Sequence, residues 1–374
     1  MTDLSTVTVR RSDPHGDEDL VYVRGYRALK SVLNDWRTFS NDTLGFNVVT
    51  PQDKTREFKQ YPFELDPPEH TTFRAAIEPF FRRPLTAEYA AVILRQTSEA
   101  VTKLLMGPDI DVVSEFALDL QNRALTTLLG MPETEADLWR TWGLEVFGRN
   151  RRADSPDQSK ADYLVAYVKE MTDRAAEFPG SLFDELSRVK IDGRHLTRDE
   201  RLGVAHISFA GGRDTVISLL TGVVALCGLH PEAMATVRAN PALAQSATEE
   251  LLRFISPLRM LARTCPHGGA VGDAPIHAGM RLAVCYGRAN RDATVFHEPE
   301  RIQLDRKPNP HLAFGSGPHS CIGNAHARLL SRTLLIELAN RAKQIEIMDA
   351  VPVAESDPQD IQGLRFVRLI VRAS

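Results

Sequence analysis

The chain has 374 residues, 43% of them hydrophobic and 25% charged, and this is the composition of a folded globular protein rather than a disordered or fibrous one. With 45 Lys and Arg residues against 49 Asp and Glu residues, the formal net charge of -4 gives no excess of positive charge for nucleic-acid binding. The cysteines lie far apart without CxxC spacing, which argues against a zinc site and a disulfide framework.

The N-terminal residues are polar and contain no apolar signal-peptide segment, so the sequence predicts a cytoplasmic protein outside the membrane. Alternating or β-branched runs along the chain predict strands at residues 20–23, 281–284, 345–347 and 364–371. Apolar residues that recur at spacings of three and four predict helices at residues 87–105, 112–129, 161–176, 202–227, 242–254 and 325–342. The predicted fold class is therefore mainly α with small β-sheets.

The predicted helix at residues 202–227 is apolar enough to be considered for a membrane span, but Arg213 and Asp214 lie at its middle. A charge exposed to lipid is costly, so the sequence favours a buried central helix in a water-soluble protein. Residues 211–215, GGRDT, depart from helical preferences, since each glycine costs about 1 kcal/mol relative to alanine. Such departures are typical of functional sites, although a helix crossing that needs small residues would explain the glycines equally well.

Residues 305–324, DRKPNPHLAFGSGPHSCIGN, contain prolines and glycines that discourage a helix or a long strand. A helical pattern begins after Gly323, so we expect Cys321 at a helix N-terminus, where free amides and the helix dipole would lower the thiol pKa. A catalytic nucleophile would need a neighbouring base, and His319 is the local candidate. A thiolate ligand to haem iron would better explain the apolar, glycine-lined surroundings.

The loop carries the pattern FGxGxHxCxG, formed by Phe314, Gly315, Gly317, His319, Cys321 and Gly323. On this pattern the chain resembles the cytochrome P450 family. The resemblance extends to DPPEHTTFR at residues 66–74, to residues 211–215, and to the ExxR spacing of Glu250 and Arg253. It implies the cytochrome P450 fold, with haem buried between a long central helix and the cysteine loop, in a soluble, bacterial-type member.

The resemblance implies heme b as the cofactor, with Cys321 as the axial thiolate ligand of its iron. The implied cofactor-binding residues are His70, Arg74, Arg263, Phe314, Gly315, His319, Cys321 and Gly323. The two histidines and two arginines would donate to the haem propionates, which need cationic partners. Asp214 and Thr215 would be the acid and alcohol that deliver protons during oxygen activation, while Gly211 would widen the helix groove for dioxygen. Arg213 and Val216 depart from the family's usual pattern there.

Two further groups of residues have alternative interpretations. Glu250 and Arg253 could form an ordinary surface salt bridge, whereas the resemblance adds Arg306 as a partner that pins the cysteine loop. A second group, Arg82, Arg83, Arg328 and Arg332, could form a basic patch for an acidic electron-transfer protein, or simply a solvated helix face. By the resemblance, substrate contacts are expected from residues 44–49, 142–147, 209–210, 258–261 and 364.

The implied function is a monooxygenase that inserts one oxygen atom of O2 into a small or medium apolar organic substrate. The sequence has no P-loop or dinucleotide-binding glycine pattern, so residues 1–374 are predicted to form one catalytic domain without a fused reductase. Electrons are then expected from a separate ferredoxin and its NAD(P)H-dependent reductase, with the chain as a monomer. The alternatives are a hydrogen-peroxide-driven peroxygenase and a non-catalytic haem protein that binds a ligand. The pair Asp214 and Thr215 favours the monooxygenase over both.

Overall fold

The computed structural model describes residues 7–10, 20–42, 58–144, 158–353 and 363–374. Its helices are α1 Tyr26–Asn34, α2 Glu69–Phe81, α3 Ala87–Met106, α4 Leu118–Leu129, α5 Glu135–Thr141, α6 Gln158–Asp173, α7 Leu182–Arg188, α8 Arg198–Gly212, α9 Asp214–Leu229, α10 Pro231–Ala239, α11 Ala244–Ile255, α12 Tyr286–Ala289 and α13 Asn324–Arg341. Its strands are β1 Val7–Arg10, β2 Leu20–Val23, β3 Ile110–Asp111, β4 Lys190–Ile191, β5 Arg194–His195, β6 Met260–Thr264, β7 Gly269–Val271, β8 Ala274–Ile276, β9 Arg281–Cys285, β10 Ile345–Pro352 and β11 Phe366–Ala373.

The strands form small sheets beside a mass of helices. One sheet has the order β1-β2-β9-β6, in which β2 runs parallel to β9 and the other neighbours are antiparallel. A second sheet has the order β10-β11-β3, and the short pairs β4-β5 and β7-β8 are hairpins. The predicted class, mainly α with small β-sheets, is confirmed.

Five of the long helices were predicted from the apolar spacing, whereas the 13-residue α2 and the short helices were not. Helices α3, α4, α6, α11 and α13 overlap the predicted segments with ends shifted by a few residues, although residues 112–117 form a π-helical turn ahead of α4. Helices α1, α5, α7, α10 and α12 have between 4 and 9 residues. One or two turns show too few repeats of the apolar spacing to be distinguished from a loop.

The central helix differs from its prediction at one position. The sequence predicted one helix over residues 202–227, but α8 ends at Gly212 and α9 begins at Asp214. Arg213 lies between them with φ -98° and ψ -76°, so the chain keeps its direction while the regular hydrogen bonding is interrupted. The departure from helical preferences at residues 211–215 therefore corresponds to a break in the helix.

The stretch Arg198–Leu229 is long and apolar enough to cross a membrane, yet 78% of its most apolar window is buried inside the protein. It packs in the main core, where Val223 of α9, Leu252 of α11 and Leu334 of α13 are at most 1% exposed. The predicted buried central helix is confirmed. This packing holds together the three elements that carry the site: the α8–α9 break, helix α11, and helix α13 that follows Cys321.

Candidate active site

The cysteine loop is shaped by two glycines and closed by a backbone hydrogen bond. Gly315 has φ +71° and Gly317 has φ +72°, values in the left-handed region that glycine adopts without strain. At Gly317 a Cβ would also lie only 2.7 Å from the carbonyl oxygen of Leu33. The amide of Cys321 donates to the carbonyl of Phe314 at 2.8 Å. The predicted loop is confirmed, with the sulfur-bearing residue at its end.

Cys321 lies where the sequence predicted, but the direction of its pKa shift was wrong. Helix α13 begins at Asn324 with Gly323 as its N-cap, so Cys321 lies two residues before the N-cap of this helix. Burial raises the pKa of the Cys321 thiol, while the Gly323 amide and the charges of Arg74 and Arg328 act in the opposite direction. Desolvation of the thiolate therefore outweighs the helix end in the protein alone.

The four residues predicted to contact propionates form one basic cluster. The ring centroids of His70 and His319 are 4.1 Å apart, and Arg74 Nη1 donates to the carbonyl of Ser320 at 2.8 Å. Burial, followed by the charges of Arg263, His70 and Arg74, lowers the pKa of His319 to about 2. Burial and the charge of Arg74 lower the pKa of His70 to about 4. With these pKa values both imidazoles are neutral near pH 7, so the positive charge beside the cysteine loop comes from Arg74 and Arg263, and the two imidazoles add neutral hydrogen-bonding groups.

This basic cluster has buried polar atoms without acceptors. Among the described residues, His70 Nδ1 and Arg74 Nε have no hydrogen-bond partner, and neither ring nitrogen of His319 makes a hydrogen bond of good geometry, although the Leu65 backbone lies near enough to act on the pKa of His319. The carboxylate of Asp66 acts on His70 electrostatically, but it is already hydrogen-bonded to Ser40 and to the amide of Asn41. Because buried polar atoms are nearly always satisfied, this cluster fits an anionic group with several acceptor oxygens, such as a pair of carboxylates.

The residues predicted for proton delivery lie together at the α8–α9 break. Thr215 Oγ1 donates to the carbonyl of Gly211 at 2.6 Å. A Cβ at Gly211 would have no atom within 4 Å, so this side of the helix faces open space. Ile207 lies one turn before Gly211 and is half-buried, like Thr215 one turn after it. The strip formed by Ile207, Gly211 and Thr215 leaves room for a bulky group against the helix.

The acid of the pair is buried and has a charged neighbour. Asp214 is 7% exposed, and its Oδ1 lies 3.6 Å from Nη1 of Arg213, which is 1% exposed. Arg213, the departure noted in the sequence, is thus buried in the protein rather than in the open space beside Gly211. Val216, the second departure, is also buried, at 5% exposure.

Two residues of α4 that the sequence analysis missed form hydrogen bonds to the α8–α9 break. Gln121 Nε2 donates to the carbonyl of Gly212 at 2.9 Å, and Asn122 Oδ1 accepts from Arg213 Nε at 3.4 Å. Both amide side chains are fully buried. The signal was present in the sequence as two adjacent amides inside the apolar helix Leu118–Leu129.

Glu250 joins two arginines in a buried cluster under the cysteine loop. It accepts from Arg253 Nε and Nη2, both at 2.8 Å, and from Arg306 Nε at 3.0 Å. Arg253 Nη1 also donates to the carbonyls of Asn290 and Pro299, at 2.9 and 2.8 Å. Glu250 and Arg253 are 0% exposed, so the surface salt-bridge interpretation is wrong and the three-residue arrangement is confirmed.

The comparisons with known proteins agree with this geometry. The family model for cytochrome P450 matches residues 161–341. Pentalenic acid synthase from Streptomyces avermitilis is 30% identical over 91% of this chain and 86% of its own length. The chain belongs to the cytochrome P450 family. The biotin biosynthesis cytochrome P450 of Bacillus subtilis is also similar, at 27% identity over 88% of this chain and 84% of that protein.

Solved structures give the same result for the fold. The structure of a carbohydrate-active P450 superposes with a TM-score of 0.91 and 35% identity, covering 100% of this chain and 96% of that one. The cytochrome P450 fold is confirmed, and the chain is a cytochrome P450 monooxygenase, an oxidoreductase of a family that uses a haem-thiolate cofactor.

In this cytochrome P450, a second carboxylate of α11 braces the cysteine loop from both ends. Glu249 accepts from Arg328 Nε at 2.8 Å and from His311 Nε2 at 3.0 Å. His311 lies in the first half of the loop, before Phe314, whereas Arg328 belongs to α13 after it. The guanidinium of Arg328 also lies 4.4 Å from the centroid of the Phe314 ring. The sequence analysis did not identify Glu249.

We expect Glu249→Gln to destabilise the protein near neutral pH and to have less effect in acid. Burial raises the pKa of Glu249, but hydrogen bonds from His311 and Arg328 outweigh it and hold the pKa at about 2. This folded-state pKa lies below the unfolded pKa of about 4.3. The stabilisation from Glu249 is therefore fully present above about pH 4.3 and is lost as the pH falls toward 2. Urea unfolding of both proteins between pH 7 and pH 3 measures this difference. An equal difference across that range would contradict the assignment.

The predicted basic patch is less basic than its sequence indicated. Arg82 pairs with Glu78 at 3.0 Å, and Arg328 pairs with Glu249. Arg83 lies with its guanidinium 4.8 Å from the ring centroid of Phe80. Two of the four positive charges are thus neutralised, which favours the solvated-face interpretation for those two.

The residues predicted to contact substrate differ in where the structure places them. Residues 44–49 and 145–147 lie outside the described residues. Phe209 is fully buried, with its ring centroid 4.8 Å from that of Trp139, so this residue belongs to the core and its predicted substrate contact is wrong. Leu258 and Leu364 are half-buried and remain predictions.

Proposed function

We propose that this cytochrome P450 binds heme b against the cysteine loop, where Cys321 would hold the iron through its thiolate. The observation that carries the proposal is the basic cluster, whose buried donors lack acceptors beside the loop that ends in Cys321. His70, Arg74, Arg263 and His319 would then hold the propionates, while Phe314, Gly315 and Gly323 would let the loop approach the ring. When bound, the haem supplies the iron at which dioxygen is activated and one oxygen atom is passed to the substrate.

The raised pKa of the Cys321 thiol is compatible with this role. A coordinating thiol is deprotonated by the charge of the metal ion itself, which removes the desolvation penalty that dominates in the protein alone. The Gly323 amide and the charge of Arg74 then stabilise the negative sulfur. The protein's contribution is to fix the position of the sulfur and to exclude water from it.

Asp214 and Thr215 are proposed to move protons on the side of the helix that faces open space. A hydroxyl accepts and donates at the same oxygen, so Thr215 Oγ1 can take a proton and release its own. The hydrogen bond from Thr215 Oγ1 to the Gly211 carbonyl fixes the hydroxyl in the meantime. The carboxyl of the adjacent Asp214 would take up a proton and pass it to the Thr215 hydroxyl, which releases its own.

We expect Thr215→Ala to divert electrons from product to hydrogen peroxide. Without the hydroxyl, proton delivery becomes less ordered, and the product formed per NAD(P)H should fall by at least about tenfold, given the usual contribution of a placed proton donor. The matched control is Ser218→Ala. Ser218 lies one helical turn after Asp214, and its hydroxyl donates to the backbone carbonyl of Asp214 at 2.9 Å. Product and peroxide per NAD(P)H are measured for both variants, and an unchanged ratio in Thr215→Ala would refute the relay.

The same variant separates the monooxygenase from its alternatives. Product formation from hydrogen peroxide alone, at a rate that Thr215→Ala leaves unchanged, would identify a peroxygenase. Absence of substrate-dependent NAD(P)H consumption with several electron donors would instead identify a haem protein that only binds its ligand. The presence of both Asp214 and Thr215 at the helix break supports the monooxygenase, because a binding protein does not need them.

The proposed electron donor is a separate ferredoxin with an NAD(P)H-dependent reductase. The sequence supplies no glycine pattern for a flavin or nicotinamide nucleotide. Reconstitution with ferredoxin and reductase should give substrate-dependent NAD(P)H consumption, whereas reductase alone should not.

The proposed substrate is a small or medium organic molecule, and two chemical classes compete. The apolar class was predicted from apolar segments, of which Phe209 has proved to be core. A carbohydrate is favoured by the 35% identity and the TM-score of 0.91 to the carbohydrate-active P450. A titration of the ferric protein with sugars, terpenoids, fatty acids and steroids discriminates them, because a bound substrate displaces water from the iron and shifts the Soret band. A shift with sugars alone would establish the carbohydrate class.

A further inference from the structure

Arg213 is a fully buried arginine at the break of the central helix. It is 1% exposed, and its side chain is held by acceptors on two other helices. Asn122 Oδ1 of α4 accepts from Nε at 3.4 Å, and the carbonyl of Trp139 in α5 accepts from Nη2 at 3.2 Å. The carbonyl of Gly143, shortly after α5, also accepts from Nη2. A short side chain would satisfy the turn, so the length and charge of this residue need another explanation.

The remaining nitrogen of Arg213 faces Asp214. Nη1 lies 3.6 Å from Asp214 Oδ1, and neither atom has a hydrogen-bond partner among the described residues. No other carboxylate in the described part of the chain lies within 4.0 Å of this guanidinium. An isolated buried charge is strongly unfavourable, so each of these two charges requires the other.

We propose that Arg213 is a positioning residue for Asp214: anchored on α4 and on the end of α5, it fixes the place of the carboxylate that feeds protons to Thr215. This inference rests on the proposed function of Asp214 as the acid of the relay. Arg213 itself does not touch substrate or cofactor in the proposal, since its side chain is enclosed by protein.

The anchors make the carboxylate sensitive to the position of α5. The Trp139 ring packs 4.8 Å from Phe209 of α8, which keeps the end of α5 against the central helix. A displacement of α5 by about 1 Å would stretch the bond from Arg213 to the Trp139 carbonyl beyond hydrogen-bonding range. With that bond lost, the guanidinium is held less firmly and can turn toward Asp214, which would draw the carboxylate from its place. Proton supply from Asp214 to Thr215 would therefore depend on the position of α5 relative to the central helix.

The first test compares Arg213→Met with Arg213→Lys and with a matched control. The control is Arg198→Met, which removes an arginine from the exposed start of α8, where it pairs with Asp173 at 2.7 Å. We expect Arg213→Met to lower kcat by about tenfold, which is less than the full contribution of a positioned acid, because Asp214 itself is retained. The solvent deuterium isotope effect on kcat should increase. The substrate affinity from the Soret shift should change less than twofold. Arg213→Lys should recover part of kcat, and Arg198→Met should match the wild type.

A second test measures the coupling of the two residues without turnover. Urea unfolding midpoints of the haem-loaded wild type, Arg213→Met, Asp214→Asn and the double variant form a double-mutant cycle. We expect Asp214→Asn to lower the unfolding midpoint when Arg213 is present, and to have little effect on it in the Arg213→Met background. If Arg213→Met does not fold, Asn122→Ala removes one anchor with both charges retained, and it should shift kcat and the isotope effect in the same direction by a smaller factor.

The outcomes separate this inference from the function on which it rests. If Asp214→Asn changes the isotope effect and the product yield while Arg213→Met and Asn122→Ala leave both unchanged, the positioning role is refuted and the relay stands. If Asp214→Asn and Thr215→Ala also leave both unchanged, the relay itself is refuted, and the positioning role with it. Additive effects in the unfolding cycle would likewise overturn the proposed pairing.

Discussion

Cys321→Ser is expected to abolish turnover and the thiolate signature of the haem while leaving the fold intact. A serine hydroxyl has nearly the size of the thiol but remains protonated and binds iron weakly, so the electron donation needed for oxygen activation is lost. The red-shifted Soret band of the ferrous carbon monoxide complex reports thiolate ligation. We expect this band and product formation to disappear together, with the far-ultraviolet circular dichroism unchanged.

The matched control for Cys321→Ser is Cys227→Ala. Cys227 is a free, buried cysteine of α9, and burial raises the pKa of its thiol to about 12, as expected for an inert core residue. This variant should keep the carbon monoxide band and the turnover of the wild type. If Cys321→Ser retained both, or if Cys227→Ala lost both, the assignment of the iron ligand would be wrong.

Glu250→Gln is expected to destabilise the protein by about 3–5 kcal/mol, because it leaves two buried arginines without their anionic partner. The carboxylate binds Arg253 and Arg306 and also accepts from the amide of Gln303 at 3.0 Å. These contacts join α11 to the segment that leads into the cysteine loop. We therefore expect loss of haem retention together with the loss of stability, measured by urea unfolding and by the ratio of Soret to protein absorbance.

The control for Glu250→Gln is Glu78→Gln, which breaks the exposed pair with Arg82 at 3.0 Å. An exposed pair one turn apart on a helix contributes only about 0.3–0.5 kcal/mol, so this variant should lie close to the wild type. Equal effects of the two substitutions would show that the buried cluster does not support the cysteine loop.

The cysteine loop could be predicted from the sequence because its determinants are local. Positive φ at Gly315 and Gly317 follows from residue type, and the start of α13 follows from the apolar spacing after Gly323. The basic cluster of His70, Arg74, Arg263 and His319 came from the family resemblance, since these residues are far apart in the chain. The structure brings them together, and their roles toward haem remain proposals.

The sequence could not supply the features that depend on tertiary burial. The direction of the Cys321 pKa shift is set by desolvation, which no spacing reveals. The break at Arg213 depends on Gln121 and Asn122 of α4. Each of them forms a hydrogen bond to a residue 91 positions later in the chain. Phe209 was expected to contact substrate by the family resemblance, yet its face of the helix packs on Trp139.

The central claim is that this chain is a haem-thiolate enzyme whose cysteine loop carries the iron ligand. The most direct measurement is the absorption spectrum of the wild-type protein, purified after expression with a haem precursor, before and after reduction under carbon monoxide. We predict one haem per chain and the red-shifted band of thiolate ligation. A protein without haem, or a band at the position given by histidine ligation, would contradict the account.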